Sequence, residues 1–127
     1  MIDDVTLLEH LYERFNAQDM DGVLSALADD VVWANAMEGG YVVGREAVRA
    51  YWTRQWAVVR PRVEPVGFRR TSEGAVVAEV RQTVRDLEGN PLHAQTHGLS
   101  DKTVGHVFHL REGRVARFDV MADATLD

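Results

Sequence analysis

The sequence predicts an α+β domain in which three N-terminal helices pack in the concave face of a curved, mainly antiparallel sheet. Three observations carry that reading. Helical periodicity is confined to the first sixty residues, strand-like alternation fills the remainder, and the chain closes on a hairpin with a two-residue turn, Glu112-Gly113. Helices first and strands later, with little strand among the helices, is not the alternation that builds a parallel sheet.

Residues 3–16 read as the first helix. Leu8, Leu11, Tyr12 and Phe15 give the i, i+3, i+4, i+7 stripe, and the acidic residues lie at the N-terminus, where the helix dipole favours them. Asn16-Ala17-Gln18 breaks the pattern, and Asp19 is placed to cap a short helix carrying Val23, Leu24 and Leu27. Asp29-Asp30 punctuates, 31–35 reads as the first strand, and a turn over 37–40 leads into a short stretch, 41–43. Gly44 precedes a third helix over about 45–58, with Val48, Tyr51 or Trp52, and Trp56 along one side; Arg60-Pro61-Arg62 ends it. Strands follow at 63–71, 75–87, 91–97, 103–111 and 114–122, with Pro65 at an edge or a bulge.

The chain has 127 residues, which bounds it to a single domain over 1–127. Its formal net charge of −6 argues against nucleic acid, which needs a basic stripe. No apolar run is long enough to cross a bilayer, and Asp3 and Asp4 stand where a signal peptide would be basic, so the expected location is the cytoplasm, with no membrane partner. With no cysteine, disulfides, thiolate catalysis and cysteine-ligated metals are excluded. His93 and His97 are four apart; on a strand that is about 13 Å, too far for one ion, and no third ligand is evident, so no metal is expected.

The closing hairpin carries the best clue to chemistry. A two-residue turn without a bulge sets Arg111 opposite Arg114, Leu110 opposite Val115, Phe108 opposite Arg117 and His106 opposite Asp119. His106 and Asp119 then share the inner face with Phe108, Leu110, Val115 and Met121. An imidazole beside a carboxylate in an apolar recess can serve as a general acid/base unit, and equally as a satisfied polar contact at the sheet's rim. Trp33, Trp52 and Trp56 border the expected pocket or simply fill the core. Asn35 continues the face of Trp33. Gln82, mid-strand between Val80 and Val84, is an inward polar group that needs a partner, for which His106 or a ligand would serve. The segment 98–103 reads as a surface loop or a flap over the pocket mouth.

Several strings resemble a known superfamily. Residues 15–23 (FNAQDMDGV) and 27–33 (LADDVVW) are similar to the opening of nuclear-transport-factor-2-like proteins, and 44–52 (GREAVRAYW) to their third helix. His106-Val107-Phe108 with residues 113–119 (GRVARFD) resembles the closing hairpin of the SnoaL-like branch. The likeness runs over roughly 4–122 and implies a cone-shaped fold, a pocket within the cone and commonly a homodimer. It does not single out one activity, because the superfamily hosts cyclases, isomerases, dehydratases, epoxide hydrolases and binders. The oxyanion tyrosine of ketosteroid isomerases falls here at Leu11 and their aspartate base at Asn35, so that residue set is missing. Phe118-Asp119-Val120 resembles the aromatic-Asp-Val string of polyketide cyclases, one residue nearer Gly113. Arg117-Phe118-Asp119 has the Arg-x-Asp spacing of epoxide hydrolases.

The expectation is a cofactor-independent acid/base enzyme acting on a small apolar carbonyl compound, by cyclisation, isomerisation or dehydration. Asp119 and His106 would be catalytic, and Trp33, Asn35, Trp52, Trp56, Gln82, Phe108 and Met121 would hold the substrate. The alternatives are a non-catalytic small-molecule binder and an epoxide hydrolase using Arg117 and Asp119.

Overall fold

The computed structural model describes residues 3–35, 39–90 and 102–121. The elements are α1 (Asp4–Asn16), α2 (Met20–Leu24), β1 (Leu27–Ala34), β2 (Tyr41–Val43), α3 (Arg45–Trp56), β3 (Arg60–Arg70), β4 (Val76–Arg85), β5 (Lys102–Arg111) and β6 (Arg114–Met121). The strands form one curved, unclosed sheet in the order β2-β1-β6-β5-β4-β3, and the three helices pack against it. All pairings are antiparallel except β1 with β6. The expected strand 91–97, with His93 and His97, and most of the 98–103 loop lie outside the described residues; Lys102 and Thr103 open β5.

Local chemistry accounts for the helix limits. The Asp3 carboxylate accepts from the Thr6 backbone N–H at 2.8 Å, and Asp19 caps α2 by accepting from Gly22 N–H at 3.0 Å. Gly44 precedes α3 at φ 93°, a conformation a residue with a Cβ rarely adopts. Asn16, at the end of α1, turns its amide onto the edge strand β3. Its Nδ2 donates to the Val63 carbonyl at 2.8 Å and its Oδ1 accepts from the Val63 N–H at 2.9 Å. The side chain thus mimics one residue of a neighbouring strand.

Several boundaries differ from the sequence reading. β1 begins at Leu27, four residues early, because its pairing with β6 shifts register between Leu27 and Val32 and leaves Asp29 and Asp30 exposed in the irregularity. Asp29 and Asp30 pair there with Arg45 and Arg111. α3 stops at Trp56, and Arg60-Pro61-Arg62 lies inside β3, which tolerates a proline because it is an edge strand. Pro65 does adjoin a bulge, between Pro65 and Gly67.

The closing hairpin contains the decisive correction. Glu112 and Gly113 both have positive φ, as a two-residue hairpin turn requires, and Arg111 pairs with Arg114 and Leu110 with Val115 as expected. Beyond that point His109 pairs with Arg117, so Ala116 is an extra residue, a bulge. Every later partner moves by one: Phe108 faces Phe118, Val107 faces Asp119 and His106 faces Val120. The bulge buries both Val115 and Phe118, three apart, and turns Arg117 outward. Strict alternation would instead have set the Arg117 charge against Phe108 in the core, at a cost of several kcal/mol.

Candidate functional site

A cavity lies between the helices and the concave sheet face, with about 620 Å³ of unfilled space when its mouth is included. α1 contributes Leu11, Tyr12 and Phe15, and α3 contributes Tyr51, Trp52 and Gln55. The sheet contributes Trp33 and Ala34 from β1, Pro61 and Val63 from β3, Gln82 and Val84 from β4, His106 and Phe108 from β5, and Phe118 and Val120 from β6. Among the described residues no Asp, Glu, Lys or Arg lines it. The wall is largely aromatic: Trp33 stacks on Phe118 with centroids 4.0 Å apart, and Trp52 meets Trp33 edge-on at 5.1 Å.

Within this wall Tyr12 and His106, 94 positions apart, are hydrogen bonded, Tyr12 Oη to His106 Nδ1 at 2.7 Å. Both are buried. Their rings lie nearly parallel, and Phe108 and Phe118 meet the imidazole edge-on. Burial pushes the His106 pKa down to about 3 and raises that of Tyr12 well above its ordinary value. Both groups are therefore neutral at pH 7, and which atom donates follows from the imidazole tautomer.

Asp119 is not part of the cavity. It lies on the outer sheet face, where Arg117 donates to it from Nε at 2.8 Å and Tyr41 donates from its hydroxyl. The Arg117 guanidinium also sits over the Tyr41 ring, 4.8 Å from its centroid. The Arg117 bond, followed by that from Tyr41, holds the carboxyl below the usual carboxylate range. A His106–Asp119 dyad in a desolvated recess is therefore not formed. The Arg117-x-Asp119 unit exists as an ion pair, but it faces away from the cavity.

The substrate-binding expectations divide. Trp33, Trp52, Gln82 and Phe108 line the cavity together with His106. Met121 does not: it is on the outer face, partly exposed, with its Cβ 3.3 Å from where a Cβ on Gly105 would sit. Asn35 is buried just past the end of β1 but is not among the lining residues, and its backbone N–H bonds Gly40. Trp56 packs behind the wall, parallel to Trp52 at 5.9 Å, and its buried indole N–H has no partner among the described residues. Sequence reading assigned no site role to Tyr12, Tyr51 or Gln55. For Gln55 a signal was available: a glutamine at the buried spacing set by Val48, Tyr51 and Trp52.

Residues 8–118 match the SnoaL-like domain family. The chain belongs to the SnoaL-like family. No functionally curated protein matches the sequence. Among solved structures, a nuclear-transport-factor-2-like protein of unknown function from Burkholderia pseudomallei is 25% identical, with a TM-score of 0.78 over 98% of this chain and 93% of that one. A candidate polyketide cyclase from Xanthomonas campestris pv. campestris is 23% identical, with a TM-score of 0.73 over 94% of this chain and 89% of that one. A Mycobacterium tuberculosis protein crystallised with estradiol-17β-hemisuccinate is 17% identical, with a TM-score of 0.74 over 94% and 92%. These structural likenesses agree with the family match on the fold. Among the described residues no three His, Asp or Glu side chains gather to hold a metal ion, and no helix is long and apolar enough to cross a membrane.

Proposed function

We propose that this protein binds a small, uncharged, largely apolar carbonyl compound in the cavity and acts on it by cofactor-independent proton transfer through Tyr12 and His106. The observation that carries the reading is the buried 2.7 Å bond between these two groups inside an otherwise apolar aromatic wall. With the imidazole protonated at Nδ1, His106 donates to the Tyr12 oxygen and the Tyr12 hydroxyl is directed to a substrate carbonyl. Bonds linked in this way polarise one another, most effectively where water is excluded. Polarising the carbonyl acidifies the neighbouring C–H, the step with which cyclisation, isomerisation and dehydration begin. In that tautomer Nε2 carries the lone pair, so the same ring is the cavity's basic group. Burial keeps the imidazole unprotonated at pH 7 and makes it a weak base, so the imidazolium formed on proton transfer depends on the enolate beside it to offset its charge. Asp119, held ionised on the far face, has no part in this scheme.

The second reading is binding without turnover. The absence of any carboxylate or cation from the described lining favours it, because an uncharged wall suits capture of a neutral ring compound. A homodimer formed through the outer sheet face is compatible with either reading. Deuterium incorporation into ring ketones in D2O separates the two. Exchange above background that is lost in both Tyr12→Phe and His106→Gln supports proton transfer; saturable binding with no exchange supports the binder.

A further inference from the structure

Tyr12 and His106 are not the cavity's only polar pair. On the helical side, one turn apart on α3, Gln55 donates from Nε2 to the Tyr51 hydroxyl at 3.3 Å, and both side chains are buried in the lining. That bond is near the long limit for hydrogen bonds, and it uses one of the amide's two N–H groups and not its carbonyl. A glutamine at a core position of a helix costs stability relative to a leucine or methionine unless its polar atoms are matched. The aromatic wall connects the two pairs. From His106 it runs through Phe118 and Trp33 to Trp52, the neighbour of Tyr51, with centroid spacings of 4.8, 4.0 and 5.1 Å. The cavity therefore offers an aromatic wall whose rings meet edge-on at His106–Phe118 and at Trp33–Trp52, with one neutral hydrogen-bonding pair between α1 and β5 and another on α3.

We propose that Tyr51 and Gln55 are a second anchor, and that the ligand is an uncharged ring compound with oxygen functions at two separated positions. Its carbonyl meets Tyr12 and His106; a hydroxyl or second carbonyl meets Gln55 and Tyr51. The amide both donates and accepts, so it matches either function, and the lack of ionised side chains in the described lining disfavours a carboxylate at that end. This rests on the reading of the cavity as a carbonyl-compound site and specifies the substrate class.

The test is calorimetric titration with 1-tetralone and 6-hydroxy-1-tetralone, which share the ring ketone and differ in a hydroxyl on the far ring. The wild-type protein should bind the hydroxylated compound about tenfold more tightly, the worth of one net hydrogen bond. Gln55→Met, close in volume, and Tyr51→Phe should each reduce that preference severalfold, the loss falling more on the hydroxylated compound than on 1-tetralone. Thermal unfolding checks that each variant is folded, and Tyr51→Phe suffices if Gln55→Met is not. Tyr12→Phe should weaken both compounds alike. No preference in the wild type, or a preference retained in the α3 variants, overturns the second anchor. If the α3 variants remove the preference while Tyr12→Phe changes nothing, the second anchor stands and the Tyr12–His106 assignment falls. No binding of either compound to folded protein overturns both.

Discussion

His106 is held neutral by its surroundings, and that has a cost the protein reveals as pH falls. In the unfolded chain the imidazole takes up a proton near pH 6.5, whereas in the folded protein it does so only near pH 3. Between those values the unfolded state binds more protons, so stability falls as pH drops, by about 1.4 kcal/mol per unit for this group alone. Urea unfolding at pH 6.5 and pH 5 should show this loss in the wild type and a much smaller one in His106→Gln; equal slopes would contradict a buried neutral His106. Tyr12→Phe leaves His106 without its partner and should cost about 1–3 kcal/mol at pH 7. Neither residue's role was legible from position alone, since Tyr12 sits in the apolar stripe of its helix and its partner is 94 positions away. His106 itself was found because alternation along its strand aims it inward.

The elements were largely legible from periodicity, caps and turns; the register of the last strand was not. Each helix carries its stripe, Asp19 caps as its residue type suggests, and Glu112-Gly113 turns as its spacing requires, whereas Asp3, read as part of the first helix, is its cap. The single extra residue at Ala116 then decides which face Asp119 and Met121 occupy. Its trace in the sequence is a conflict: strict alternation sends Arg117 inward against Phe108, whereas a one-residue bulge buries Phe118 instead. Deleting Ala116 should remove the bulge while leaving Arg117 opposite His109 and Phe118 opposite Phe108, so the variant should stay folded in urea titration; a loss of the several kcal/mol that a buried Arg117 would cost would contradict this register. β1 was shortened in the reading for a related reason, because Asp29-Asp30 looks like punctuation yet occupies an irregular stretch of strand. At the junction of α1 and β3, Asn16→Ala removes both bonds to Val63, next to cavity-lining residues. A loss of about 1–3 kcal/mol is expected, with weaker ligand binding as Val63 loses its tether; an unchanged urea midpoint would deny the tether its role.

Across the whole molecule, charge and chemistry are separated by the sheet. The described ionised side chains lie outside the cavity, including the Arg117–Asp119–Tyr41 cluster on the outer face, while the concave side holds neutral polar pairs within an aromatic wall. A neutral ring compound can therefore enter without stripping water from a protein charge. At a hundredfold excess over its Kd such a ligand should stabilise the fold by about 2.7 kcal/mol, or roughly 10 °C in Tm. Tryptophan emission should change with it, because Trp33 and Trp52 form the wall. In the proposed reaction, proton transfer runs through the cavity pair and not through Asp119. The most direct test follows deuterium uptake by ring ketones in D2O, by mass spectrometry, with wild type, Tyr12→Phe, His106→Gln and Asp119→Asn. Exchange should fall at least about a hundredfold in the first two variants and stay within about twofold in Asp119→Asn. Exchange that survives both cavity variants, or disappears in Asp119→Asn, would contradict this route.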